Sequence, residues 1–317
     1  TVTDADLLLG YIPADYFLGG EISLDVELAR KAVQKLAGRF GMDPLQAAQS
    51  IYTTVNSFVA DSIAEVSTKK GYDCRDFALI VGGGAGAVHG PAIAERMGIS
   101  TVIVPRFAGL YSAFGMFAME IGRDYARSNI CRVDRADLDL INRLYKEMEA
   151  EALGAMRAMH VAEADVTLTR TADMRYTGQF HEVEVEMSPG TLTPEHLKEA
   201  VANFHKRHHE LYTFSMGFRA VEFLTFRLKA TARKAPFQLE EIAQGEENPE
   251  GALKRRRNCI FEGKTFDVPV YDGERILAGN LIQGPAILEE KTTTVVVPPS
   301  FQCCVDRFKN YILKRKV

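Results

Sequence analysis

The spacing of apolar residues changes period along this chain. Before residue 71 it is helical. Val26, Ala29, Val33 and Leu36 recur at three- and four-residue intervals. They predict an amphipathic helix with Ser23 as its candidate cap and a stop at Gly38 or Gly41. A second helix is predicted from Asp43-Pro44, a cap residue followed by Pro at the first helical position. It continues through Ala47, Ile51, Val55, Phe58 and Ile63 to the basic pair Lys69-Lys70 and stops at Gly71. The segment before these helices, up to Glu21, reads as turns, with Gly10, Pro13, Gly19 and Gly20.

Beyond Gly71 the pattern changes. Phe77-Ala-Leu-Ile-Val81 is a continuous apolar run of strand length, which predicts a strand buried on both faces. Gly82-Gly-Gly-Ala-Gly86 follows, then a helix from about Ala87 to Met97 and a second apolar run, Thr101-Val-Ile-Val104. Together they predict a parallel, right-handed βαβ unit. A small-residue helix from Tyr111 to Glu120 closes the segment. Residues 134–160 read as a charged helix. Alternation predicts strands at Val166–Tyr176, His181–Met187 and Val221–Thr231, with a helix at Pro194–Tyr212 between the last two. Residues 240–257 read as a solvated linker, because Glu240, Glu241, Glu246, Glu247 and Glu250 precede Lys254-Arg-Arg-Arg257. The tail, 259–317, reads as short strands with turns at Asp272-Gly273 and Gly284-Pro285.

Composition narrows the function classes. The 317 residues carry 38 Lys plus Arg against 42 Asp plus Glu, a net charge of -4, so no polycationic surface for nucleic acid is expected. Apolar runs stop well short of the ~20 residues of a membrane span, and no signal peptide is visible. Thr1 is small, as expected after loss of an initiator Met. Cys74, Cys131, Cys259, Cys303 and Cys304 contain no Cys-x-x-Cys spacing and read as idle thiols of a cytoplasmic protein.

The glycine stretch is the leading candidate for chemistry. A strand that ends in Gly82, Gly83 and Gly84 and enters a helix presents an edge without Cβ atoms. There a ligand can lie against backbone N–H groups and a helix N-terminus. Two nucleotide readings compete. Gly82-x-Gly84-x-x-Ala87 satisfies the dinucleotide fingerprint, but no acidic residue follows the second strand to hold a ribose. The alternative is the adenosine-side loop of actin-like ATPases, and a purely structural turn stays open beside both. His89 lies in the first turns of the following helix, as either a ligand-facing group or a core histidine. His205 and His209 have the spacing of helical metal ligands, but Lys206 stands where a Glu would be expected, which favours a surface helix face. Gln179 reads as a turn residue with a possible substrate role, and Ser112 lacks the context of a nucleophile elbow.

Longer stretches of the sequence carry a resemblance. Thr3-Asp-Ala-Asp-Leu-Leu-Leu-Gly10, Asp15-Tyr-Phe-Leu-Gly-Gly20, Asp76-Phe-Ala-Leu79 and Gly83-Gly-Ala-Gly-Ala-Val-His89 resemble the hydantoinase A/5-oxoprolinase family. So do Tyr111-Ser-Ala-Phe-Gly115, Arg175-Tyr176-x-Gly178-Gln179 and Gly284-Pro-Ala-Ile-Leu-Glu-Glu290. Order and spacing hold over nearly the whole chain. Ala87 and Phe114 depart from the Pro and Leu that relatives often carry.

The resemblance implies an actin-like fold and ATP dependence; the family includes N-methylhydantoinases, 5-oxoprolinases and the acetone and acetophenone carboxylases. The expected fold is α/β and α+β. It comprises an actin-like half-domain (1–130), an α+β domain (131–236), and a linker with a small C-terminal β module (237–317). The chain looks like a C-terminal half of the family, comparable to the γ-type subunit of the acetophenone carboxylases. The implied function is that of a subunit in an ATP-dependent ketone carboxylase. There it would contribute the adenosine side of a nucleotide site used to phosphorylate an enol oxygen and to activate bicarbonate. Gly82, Gly83, Gly84, Ala85 and Gly86 would bind the adenosine side of ATP, and His89 is the candidate catalytic residue. Mg²⁺ and the phosphate loops would belong to a partner carrying the N-terminal half, beside a hydantoinase-B-like subunit. A split hydantoinase or oxoprolinase and a non-catalytic scaffold are the alternatives.

Overall fold

In the computed structural model, which describes residues 1–233 and 237–316, Thr1 caps a first helix, α1 (Val2–Leu8). Its hydroxyl accepts from the Asp4 N–H, and the Asp4 carboxylate returns the bond to the Thr1 amine and hydroxyl. The turn-rich reading of the opening segment missed this helix because seven residues are too few for a period to show. Asp25, not Ser23, caps α2 (Val26–Phe40), which ends on left-handed Gly41. Asp43 caps α3 (Pro44–Lys69), with Pro44 in its first turn as predicted. The buried stripe of α3 is Ala48, Tyr52, Asn56 and Ala60. Phe58, expected on the packed face, is exposed. This stripe combines small side chains with the buried Tyr52 ring, while Phe58, Val59 and Val66 are turned outward.

The βαβ unit forms as β1 (Leu79–Ile80), α4 (Gly86–Met97) and β2 (Thr101–Val104), with β1 and β2 parallel. The strand is shorter than its apolar run and is not buried on both faces: Phe77 and Ile80 are exposed. It is also the edge of its sheet. A helix, α5 (Tyr111–Ala118), follows.

Residues 118–236 make a separate compact unit. It holds β3 (Ile121–Arg132), α6 (Leu138–Ala158), β4 (Val166–Tyr176), β5 (Val183–Glu186), α7 (Pro194–Tyr212) and β6 (Val221–Ala232). The antiparallel sheet has the order β3-β6-β4-β5. Tyr145 and Met148 of α6, Phe204 of α7 and Phe226 of β6 share its core. The strand β3 went unpredicted because Arg123, Asp124, Arg127 and Arg132 dilute its apolar alternation.

The remaining strands return to the first unit, 1–117 with 237–317. They are β7 (Leu253–Phe261), β8 (Lys264–Asp272), β9 (Leu281–Gln283), β10 (Ala286–Glu289), β11 (Thr294–Val297), β12 (Phe301–Val305) and β13 (Tyr311–Arg315). One sheet has the order β11-β10-β8-β7, the other β1-β2-β13-β12-β9. Three consecutive domains with a detached β module are therefore not what the described residues form. Non-local strand pairing, Leu313 opposite Val102 for example, joins the tail to the βαβ unit. The expected boundary at 236 lies outside the described residues.

The first unit is layered. Helices α1, α2 and α3 pack on one face of the β11-β10-β8-β7 sheet through Tyr11, Val33, Tyr52, Val268 and Ile287. Its other face, with Leu288 and Val295, meets Val102, Val104, Cys303 and Leu313 of the five-stranded sheet. Strands β10 and β11 are buried throughout, as a sheet covered on both sides requires.

Candidate functional site

The glycine loop leaves β1 at Val81, whose N–H still donates to Ile103 of β2 at 3.0 Å. Each glycine has a different reason to be one. A Cβ on Gly82 would stand 3.1–3.3 Å from the Tyr111 side chain, so that aromatic ring occupies the space. Gly83 has φ +90° and donates its N–H to Ala108 at 2.6 Å. L-residues seldom adopt that conformation, although the space around it is open. Gly84 has its carbonyl fixed by the Thr293 hydroxyl at 2.8 Å, and a Cβ there would lie 3.5 Å from the Thr292 carbonyl. Gly86 starts α4, and the cap residue Ala85 supplies no side-chain hydrogen bond.

Residues 82–85 are exposed. Beside them lies a cavity of about 180 Å³ lined by Asp6, Tyr16, Gly84, Ala85, Val88 and Thr292. The uncapped N-terminus of the twelve-residue α4, an open loop in which only Ala85 carries a Cβ, and an adjoining hollow leave room for a ligand at this strand end. The cation lining the hollow, Lys291, is already paired with Glu274 at 2.6 Å.

His89 is not on this open edge. It is 7% exposed, with Nδ1 2.8 Å from Asn56 Oδ1 and Nε2 3.2 Å from Asp6 Oδ2. Its ring stacks on Tyr52 at 4.9 Å, and the Tyr52 hydroxyl donates to the Val88 carbonyl. Asn56 Oδ1 only accepts, so the Nδ1 that faces it carries a hydrogen. One imidazole thus ties α4 to α1 and α3 behind the loop. Asp6 Oδ1 and Asn56 Nδ2 have no partner among the described residues.

The basic run does not belong to a solvated linker. Lys254, Arg255 and Arg257 lie on β7 and converge on Glu289 of β10, which is 1% exposed. Their distances are 2.9, 2.9 and 3.0 Å. Arg255 also grips Asp15 with both Nη atoms, and Lys254 sits 3.6 Å over the Tyr16 ring. Burial alone would raise the Glu289 carboxyl. The hydrogen bonds from Lys254 and Arg255 and the charge of Arg257 outweigh it, and its pKa lies below the usual value. Asp15 is held down to about 2, mainly by its bonds from Arg255. Glu290 accepts from Tyr311 and Lys309. The signal for this network was the Glu289-Glu290 pair ending an otherwise apolar run, since a carboxylate there must be buried and paired.

In the second unit, the Tyr176 hydroxyl meets His205 Nδ1 at 2.6 Å and accepts from the Met216 N–H at 2.7 Å. His208 bridges Gln179 and the Phe214 carbonyl. Gln179 therefore braces a turn. Among the described residues, no cluster of His, Cys, Asp or Glu could hold a metal ion. No helix among them is long and apolar enough to cross a membrane, and all five cysteines are free.

The layered first unit, with its βαβ core and open glycine loop, is an actin-like half-domain with added β strands, interrupted in sequence by an α+β unit. The chain belongs to the hydantoinase/oxoprolinase family. The family's profile matches residues 1–124, and the profile of its C-terminal domain matches 132–316. The chain is 33% identical over 99% of its length to caprolactamase subunit alpha of Pseudomonas jessenii and spans 46% of that protein. It is 29% identical to the acetophenone carboxylase gamma subunit of Aromatoleum aromaticum, covering 96% of this chain and 43% of the relative. Among solved structures, it superposes on the nucleotide-free form from a study of ATP-dependent acetone carboxylation with a TM-score of 0.86. That match covers all of this chain and 46% of the other, at 24% identity. The structure of the ATP-dependent caprolactamase of Pseudomonas jessenii gives 0.72 at 32% identity, with 47% of it covered. The chain spans about half the length of these relatives.

Proposed function

We propose that this chain is one part of an ATP-dependent cytoplasmic complex that activates a carbonyl compound by phosphorylating its oxygen, in the manner of a ketone carboxylase subunit. The observation that carries the reading is the open loop Gly82–Gly86 at the end of β1, with Ala85 leaving the α4 N-terminus free of a side-chain cap. Gly82 keeps the Tyr111 ring against the strand end, and Gly84 leaves the way open to the hollow. Adenosine would lie there against backbone groups. Bound ATP would supply the phosphoryl group. The phosphates and Mg²⁺ would be held chiefly by a partner with the family's N-terminal half, beside a hydantoinase-B-like subunit. His89 holds α4, and through it the loop, by its bonds to Asp6 and Asn56, so its contribution is to position rather than to touch the reacting atoms.

Phosphorylating a ketone's enol oxygen traps the nucleophilic tautomer for reaction with activated bicarbonate. Phosphorylating an amide oxygen makes a ring carbonyl open to water. Both need electrostatic support for a transferring phosphoryl group. A cyclic amide is the second reading, favoured by the 33% identity to the caprolactamase subunit along nearly the whole chain. The purified complex, given ATP with either a ketone plus bicarbonate or a lactam, decides between them. ADP or AMP release dependent on ketone and bicarbonate together supports the first. Release dependent on lactam alone supports the second, and release dependent on neither removes both.

A further inference from the structure

The five-stranded sheet of the first unit is finished on one face only. Its inner face carries Val102, Val104, Tyr311, Leu313 and Cys303 in the core. On the other face, strand register lines up Ile80, Ile103, Ile312, Cys304 and Leu281 in a single row across all five strands. None of the five is buried, Ile80 is 56% exposed, and the Cys304 thiol is exposed. The next row, Thr101, Lys314, Gln302 and Gln283, is polar and gives the apolar row a border.

The edge of the same sheet is equally unfinished. Val81 donates its N–H to Ile103 of β2, and alternate residues of a strand turn their N–H and C=O to opposite sides. The backbone of Ile80 therefore faces away from β2, at the free edge of the sheet. An apolar edge of this kind invites another strand, and natural proteins rarely leave one bare. Phe77, exposed just before it, lacks the charge that usually protects edges.

We infer that a polypeptide carrying the other half of the family fold adds a strand along β1 and covers the row from Ile80 to Leu281. The occupant follows from length: the chain spans 46% of its caprolactamase relative and 43% of the acetophenone carboxylase subunit. Among the described residues, the sheet ends at the strand that carries the glycine loop. This rests on the proposed division of the nucleotide site between two halves and names where they join. It also explains why the apolar run Phe77–Val81 has the sequence of a fully buried strand.

Two measurements on the assembled complex test it. Hydrogen exchange should show the Ile80 amide protected by about 100-fold or more, as an added strand requires. Iodoacetamide should label Cys304 at least on the order of tenfold more slowly than after unfolding, since reaction needs access. The variant Ile80→Asp, at an exposed position, should separate the halves while leaving each folded by circular dichroism. An Ile80 amide exchanging at its intrinsic rate in an intact complex would overturn the inference. So would an Ile80→Asp variant that stays assembled, or a homodimer of this chain covering the row. Protection without ATP turnover would leave the docking surface standing and remove the proposed activity instead.

Discussion

At the scale of single residues, two kinds of constraint are present. Gly84 has room for one methyl, 3.5 Å from the Thr292 carbonyl, but not for the branched carbons of valine without filling the hollow. In the assembled complex Gly84→Ala should therefore bind ADP nearly as well as the parent. Gly84→Val should lose binding by about tenfold or more, on the order of 1.4 kcal/mol. Calorimetric titration checks both, and equal affinity for the Val variant would remove the loop from the nucleotide site. Glu289 is the other case. Removing its charge strands three cations around a buried site, and breaking a buried pair costs about 3–5 kcal/mol, less here because Lys254 and Arg255 reach solvent. Glu289→Gln should lower the melting temperature accordingly. Its folded pKa is depressed, so its contribution is complete above the unfolded value near ~4.3 and is lost as pH falls through the folded one. The parent should lose stability on acidification below that value more steeply than the Gln variant. Parallel melting curves at neutral pH and near pH 3 would show this.

At the scale of elements, the contact between α4 and β1 decides how the loop is presented. A Cβ on Gly90 would lie 2.5 Å from Val81 Cγ1, a β-branched side chain with little freedom to yield. Gly90→Ala should destabilise the protein by about 1–3 kcal/mol through overpacking. Trimming the obstacle in Gly90→Ala/Val81→Ala should recover part of that loss, and a double-mutant cycle by chemical denaturation would measure the coupling. Additive losses would mean that the helix sits elsewhere. The elements themselves were largely legible. The Asp43-Pro44 start of α3, the α4 helix and both strands of the βαβ unit were read from caps, glycines and apolar runs, because these signals are local. The seven-residue α1 and the charged β3 were not, since one is too short for periodicity and the other draws its stability from pairing with β6.

At the scale of the molecule, half a fold should behave as half a fold. Expressed alone, the chain should not turn over ATP. With Ile80 and Cys304 exposed and Ile103, Ile312 and Leu281 only half-buried, it should bind a hydrophobic dye or aggregate. Co-expression with the other half should cure both, and ATP should stabilise the pair because only the pair offers the complete site. A soluble, monomeric chain that hydrolyses ATP unaided would refute the reading.

The sequence by itself determined the glycine loop, the βαβ unit and the membership of a family, because turn chemistry, hydrophobic period and motif order are written in neighbouring residues. Tertiary structure decided the rest. Lys254–Arg257 has the composition of a solvated linker, yet its charges close on Glu289, some thirty residues away along the chain. His89 stands where a ligand-facing residue could stand, yet Asp6 and Asn56 draw it into the core. The C-terminal strands look like a module of their own, yet β13 pairs with β2 across two hundred residues. In each case the partner is distant in sequence, and only the folded chain brings the two groups within reach.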